Sequence, residues 1–119
     1  METVLFALQA MRPPFAPYEH HIHVMVEECL LEAGLAYTHE ARIGKGCRID
    51  YLVGDVGIEI KKGKPVPVVL LKQLARYAAC EAIGSLIVIT QRSVRLPGRV
   101  GGKALCQIAL PQLWGVALP

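Results

Sequence analysis

Apolar and polar residues alternate with a period of two over the segment "CRIDYLVGDVGIEIK". This period is typical of strands with one buried face. Gly54 and Asp55 interrupt the alternation and fit a two-residue turn that begins with glycine. The pattern therefore predicts a β-hairpin with strands over 47–53 and 56–61.

Two further segments, about 18–33 and 68–83, carry apolar residues at helical spacing, and each is followed by a glycine. Three more strands are predicted: a mixed segment at 36–43, the all-apolar run at 85–90 and a final strand at 104–110. The element order is then α-β-β-β-α-β-β. Such an order predicts an α/β fold in which helices pack on a sheet.

The composition agrees with one compact domain over residues 1–119, of which 1–17 would be an N-terminal lead-in. Apolar residues make up 53% of the chain and charged residues 19%, and the net charge of +3 permits an anionic partner. No apolar run reaches the length of a membrane span, and the N-terminus lacks a basic signal-peptide region. We therefore expect a cytoplasmic protein with no membrane partner.

Cysteines and histidines are candidate ligands for a transition metal. The four cysteines are widely spaced and contain no CxxC pair, which favours reduced, buried thiols over a zinc site. His20, His21 and His23 lie near the start of the first predicted helix. Exposure to solvent is their simplest interpretation, although His23 could approach a cleft together with Glu19, four residues before it.

The hairpin also brings two carboxylates together. The two-residue turn places Tyr51 opposite Ile58 and Asp50 opposite Glu59. Directly opposed like charges destabilise a sheet, but they are tolerated where both bind a divalent cation, which prefers oxygen ligands. Lys61 projects from the same face as Glu59. The pattern predicts a metal site with a cation beside it.

Asp50 on one strand and Glu59-x-Lys61 on the next resemble the motif of the PD-(D/E)XK nuclease superfamily, with the likeness extending over roughly 18–114. The resemblance implies a restriction-endonuclease-like or Holliday-junction-resolvase-like fold, with a mixed central sheet of about four to five strands flanked by helices. It also implies Mg²⁺, or Mn²⁺, bound by Asp50, Glu59 and the backbone carbonyl of Ile60. Lys61 would assist the attacking water or the developing oxyanion.

Gln73 and Tyr77, four residues apart in the second predicted helix, resemble the QxxxY motif of RecB-like and lambda-exonuclease-like nucleases. The resemblance implies that Gln73 joins the catalytic group and that Tyr77 contacts nucleic acid; a half-buried packing role is the alternative for Tyr77. The superfamily often takes one more acid from the first helix. Glu19 shares the inward stripe of that helix, whereas Glu27 and Glu28 fall off it, so we expect Glu19.

A basic loop after the fourth strand carries Arg92, Arg95, Arg99 and Lys103. These cations could follow a phosphate backbone, and a plain solvated loop is the alternative. Together with the motif they predict a metal-dependent nuclease acting on branched or duplex DNA, with a homodimer or larger homo-oligomer left open. Two alternatives remain: a non-catalytic nucleic-acid-binding or interaction module on the same fold, and a nuclease acting on RNA.

Overall fold

A computed structural model of the chain describes residues 1–11 and 19–113, and side chains within 1–11 and 20–111. These residues form four helical segments: α1 (Glu2–Leu8), α2 (Glu19–Glu32), α3 (Pro67–Ala78) and α4 (Leu110–Leu113). They also form six strands: β1 (Thr38–Gly44), β2 (Cys47–Val53), β3 (Val56–Lys61), β4 (Ser85–Thr90), β5 (Arg99–Val100) and β6 (Lys103–Ala109).

The six strands form one mixed sheet in the order β1-β2-β3-β4-β6-β5. The first three strands are an antiparallel meander, and β3, β4 and β6 are parallel neighbours. The predicted α/β class is confirmed, but the sheet has six strands rather than four to five. The additional strand, β5, has only two residues and pairs with β6, so it leaves no alternating pattern in the sequence.

Helices cover both faces of the sheet, and β4 shows the two sides most clearly. Ile87 and Ile89 of β4 pack in a core with residues of α1 and α2, whereas Leu86 and Val88 pack in a second core with residues of α3. Alternate residues of a strand point to opposite faces. The continuous apolar run of β4 therefore reflects burial on both sides, as in the centre of many α/β sheets.

The structure adds one helix to the prediction and shortens another. The lead-in predicted over 1–17 contains α1, whose Val4 and Leu8 are buried in the core with α2; residues 12–18 lie outside the described part of the chain. The second predicted helix ends at Ala78 rather than at 83. After Ala78 the backbone forms hydrogen bonds of the 3₁₀ type, in which an N–H donates to the carbonyl three residues earlier. Ile83 N–H, for example, donates to the Cys80 carbonyl.

The predicted hairpin is present with its predicted turn. Gly54 has φ 61°, the left-handed conformation that favours glycine, and Tyr51 pairs with Ile58 as the sequence pattern requires. Gly57, in β3, is needed for close packing, because an added Cβ would lie 2.6 Å from Ile49 Cδ1. None of the described helices is long and apolar enough to cross a membrane.

Candidate functional site

The site lies where the ladder between β2 and β3 ends. The paired residues of these strands begin next to the turn, where Val53 pairs with Val56, and end where Tyr51 pairs with Ile58. At the next position, carboxylates take the place of backbone carbonyls. Ile60 N–H donates to Asp50 Oδ2 over 2.8 Å, and Asp50 N–H donates to Glu59 Oε1 over 3.1 Å. The two carboxylates therefore meet in the opening between the strands.

The chain of β2 also changes face at Asp50. Tyr51 is buried in the core on the α2 side, whereas Ile49 is buried in the core on the α3 side. Two residues that are two positions apart would share one face of a regular strand. On the neighbouring strand Glu40, which would face Asp50, has φ 51°, an uncommon value for a residue other than glycine. This local irregularity turns the Asp50 side chain toward the gap instead of plain solvent.

Helix α3 holds Glu59 from the other side. The Glu59 side chain is 7% exposed, and its Oε2 atom lies 2.9 Å from Tyr77 Oη and 3.2 Å from Gln73 Nε2. Gln73 Nε2 also donates to Tyr77 Oη over 2.9 Å, so the two side chains of the QxxxY pattern act together. Tyr77 is buried, and its hydroxyl lies 3.0 Å from the Arg48 carbonyl. Tyr77 thus supports the carboxylate from within the core, and contact with nucleic acid stays a prediction.

The buried carboxylate has an unusual proton affinity. Burial and, second to it, the neighbouring charge of Asp50 raise the pKa of Glu59 to about 7. Lys61 opposes both effects, because its Nζ atom lies 3.3 Å from Glu59 Oε2. Near neutral pH the Glu59 carboxyl therefore exchanges between its protonated and ionised forms. A cation that entered the gap would favour the ionised form.

Oxygen donors in the gap fit a divalent cation. Asp50 is half-buried, and its Oδ2 atom accepts from Ile60 N–H. Because the N–H and C=O of one residue point to the same side of a strand, the Ile60 carbonyl faces the same opening, where β2 no longer pairs with β3. Across residues 1–11 and 19–113, no group of three or more His, Cys, Asp or Glu side chains is arranged to bind a metal ion. A cation here would use the two carboxylates, this carbonyl, and water or phosphate oxygens.

A second polar network joins α2 to the other face of β2. Tyr51 Oη donates to Glu27 Oε2 over 2.5 Å, and Tyr37 Oη donates to Glu27 Oε1 over 3.1 Å. The Tyr51 bond is the main reason that the pKa of Glu27 is lowered. His23 lies beside this network, with Nδ1 3.2 Å from Tyr51 Oη. Glu19 begins α2, but its side chain lies outside the described residues.

The four cations of the predicted basic loop are not placed together. Arg92 and Arg95 are exposed, and they follow the end of β4 that pairs with Lys61. Arg99 and Lys103 lie at the opposite end of the sheet. The Lys103 ammonium contacts two backbone carbonyls there, those of Ile83 and Cys80, and the Arg99 guanidinium donates to the carbonyl of Gly102. Arg92 and Arg95 thus follow the end of the sheet that carries Lys61, whereas Arg99 and Lys103 lie at the other end.

A basic and apolar surface beside Lys61 was missed by sequence reasoning. Five cations and no acid occur between residues 61 and 80, which is a signal that the sequence contained. The other part of the signal, the exposure of several valines, depends on the fold and could not be found from the pattern alone.

No known family matches the chain, and comparisons with curated proteins and with solved structures also find no match. The likeness to PD-(D/E)XK nucleases therefore depends on the residues and distances given above. Their arrangement is the basis of the functional proposal that follows.

Proposed function

We propose that the protein is a metal-dependent nuclease that hydrolyses phosphodiester bonds in DNA. One observation carries this proposal: Asp50 and Glu59 meet at the open end of a hairpin, and Lys61 lies 3.3 Å from the second carboxylate. Two buried or half-buried acids next to one cation are costly for stability alone, because each raises the cost of ionising the other. Such sites are frequently functional.

The chain's own residues would divide the work. Asp50, Glu59 and the Ile60 carbonyl would hold Mg²⁺ or Mn²⁺, which supplies charge stabilisation and an acidic bound water. Lys61 would place its ammonium against an oxygen of the reacting phosphate, where negative charge develops. Gln73 and Tyr77 are positioning residues: they fix Glu59 Oε2 through bonds of 3.2 and 2.9 Å.

The proton on Glu59 predicts how activity depends on pH. The carboxylate binds a cation only when it is ionised, and burial raises its pKa to about 7. Metal binding should therefore weaken as the pH falls below 7, and it should release protons into solution. At saturating metal, the apparent pKa of the activity should fall, because the cation favours the ionised form.

A substrate panel tests the proposal. Linear, circular, single-stranded and four-way-junction DNA, together with an RNA strand, are incubated with Mg²⁺, Mn²⁺ or EDTA. We expect cleavage of DNA that needs the metal and is abolished in Asp50→Asn, whereas Asp55→Asn, the same change at the exposed turn of the hairpin, stays active. Binding without cleavage in either metal would favour a non-catalytic module, and cleavage of RNA alone would favour an RNA-directed nuclease.

A further inference from the structure

Next to Lys61 lies a surface that combines cations with exposed apolar side chains. We call it the valine–lysine surface and define it as Lys62, Lys64, Val66, Val68, Val69 and Lys72. Val66 and Val68 are each 62% exposed, and Val69 is 65% exposed. Apolar side chains this exposed, adjacent to one another and rimmed by charge, mark sites of interaction more often than single exposed residues do.

The surface is continuous with the candidate active site. Val69 and Gln73 are four residues apart in α3, so they are neighbours on the helix surface. Gln73 in turn donates to Glu59 Oε2 over 3.2 Å. At the other end, Lys62 directly follows Lys61 in the chain. The surface therefore adjoins two residues that contact Glu59, namely Gln73 and Lys61.

The loop that carries the first part of the surface is fixed in place. Gly63 N–H donates to Gln91 Oε1 over 2.6 Å, and Gln91 N–H approaches the Lys61 carbonyl at 3.4 Å. Pro65 and Pro67 restrict the backbone on both sides of Val66. The valines are thus presented by a restrained segment, and little ordering entropy remains to be lost when they bind.

We propose that this surface binds the unpaired bases of a nucleic-acid strand whose phosphates contact the lysines. This inference rests on the proposed nuclease function and names its substrate class: a strand with an unpaired region beside the bond that is cut. The absence of any acid from residues 61–80 matches the surface to a polyanion. Lysines alone would suit duplex DNA, whose bases are stacked inside.

The valines are what select unpaired bases. Apolar side chains reach base faces only where the bases are unstacked, and in that position they exclude water. A second copy of this chain fits the surface less well, because the same three lysines would then face one another across the contact. Apolar contact with a partner of like charge would have to overcome that repulsion.

The test measures binding in Ca²⁺ or EDTA, so that cleavage does not interfere. Fluorescence anisotropy compares a single strand, its duplex, and the same duplex with an unpaired internal segment. The triple variant Val66→Ser, Val68→Ser and Val69→Ser is compared with Leu31→Ser, since Leu31 on α2 is also 65% exposed. A second pair is Lys62→Ala with Lys64→Ala against Lys45→Ala, at the β1–β2 turn.

We expect the wild type to bind the single strand and the interrupted duplex more tightly than the intact duplex. The valine variant should bind these two substrates about tenfold more weakly, because two or three partly exposed valines no longer contribute apolar contact to the interface. Its affinity for the intact duplex should change little. The lysine variant should weaken binding to every substrate. It should also reduce the slope of log K against log salt by about 0.7 for each phosphate of the single strand that a lysine no longer neutralises. The Leu31 and Lys45 variants should match the wild type.

Wild-type affinity in the valine variant overturns the inference, as does a preference of the wild type for intact duplex. So does sedimentation showing a dimer that the valine variant cannot form, since the surface is then an interface between copies. The inference and the function fail separately. If the protein cuts DNA but its binding does not depend on the valines, only the inference fails. If it binds single strands through the valines but cuts in no metal, only the nuclease proposal fails.

Discussion

Replacing Glu59 with glutamine should remove a pH dependence of folding stability that this buried carboxyl imposes. Burial, with the charge of Asp50 second, raises the pKa of Glu59 from 4.5 to about 7. An acid whose pKa is raised by folding ionises more readily in the unfolded chain. The free energy of unfolding is therefore unaffected by Glu59 below pH 4.5, falls as the pH rises toward 7, and stays at its lower value above pH 7.

The two pKa values set the size of the effect. At pH 5.5 the penalty on the folded state is about 1 kcal/mol, and at pH 8 it is about 3 kcal/mol. The free energy of unfolding should thus fall by about 2 kcal/mol between these pH values because of Glu59 alone. Since the side chain is 7% exposed, solvent screens this penalty very little.

Urea unfolding at pH 5.5, 6.5, 7 and 8 measures the effect, on wild type, Glu59→Gln and Glu28→Gln, a less buried acid of α2. The difference between wild type and Glu59→Gln should change by about 2 kcal/mol across the range, whereas Glu28→Gln should run parallel to the wild type. Adding Mg²⁺ at pH 8 should restore part of the lost stability. Parallel curves for the wild type and Glu59→Gln would show that folding does not raise the pKa of this carboxyl.

Three further variants test the packing and contacts around the site. Gly57→Ala should lower the free energy of unfolding, measured by heat or urea, by about 1–3 kcal/mol, because the new Cβ would meet Ile49. The control Gly98→Ala should be nearly neutral, because an added Cβ there meets nothing within 4 Å. Tyr77→Phe should cost about 1–3 kcal/mol, because it removes the hydroxyl that supports Glu59, and retention of wild-type stability would contradict this contact. Lys103→Met should destabilise the fold by a similar amount, because its ammonium contacts two backbone carbonyls. The affinity for DNA should stay the same, and a DNA-binding isotherm showing weaker binding by this variant would mean that Lys103 contacts DNA.

Local patterns were sufficient to predict the hairpin and its acids. Period-two alternation and a Gly-Asp turn specify the register as far as Tyr51 and Ile58, and Asp50 and Glu59 follow at the next position, where the ladder has ended. The four-residue spacing of Gln73 and Tyr77 likewise specifies that both lie on one face of α3. These features depend on residues close in sequence, so the chain alone carries them.

Features that depend on distant residues were not predictable in the same way. The contact of Glu27 with Tyr51 depends on how α2 crosses the sheet, and the helix stripe alone, which favours Glu19, does not contain that information. The charge of Lys103 predicts that it lies with the arginines, yet the paired strand β6 carries it to the other end of the sheet. Helix α1 is a different case, because Val4 and Leu8 have helical spacing and the signal was there to be used.

Lys61 most directly separates a catalyst from a binding module. Its side chain is 28% exposed and pairs with Glu59, so Lys61→Ala will also raise the pKa of that carboxyl and should be assayed at pH 8 or above. The decisive measurement is the single-turnover cleavage rate at saturating Mg²⁺, taken beside a DNA-binding isotherm in Ca²⁺. We predict a rate about 10²–10³-fold below wild type, with nearly unchanged DNA affinity. A variant that cuts as fast as the wild type would contradict the assigned role of Lys61, and a wild type that cuts no DNA in Mg²⁺ or Mn²⁺ would contradict the nuclease function itself.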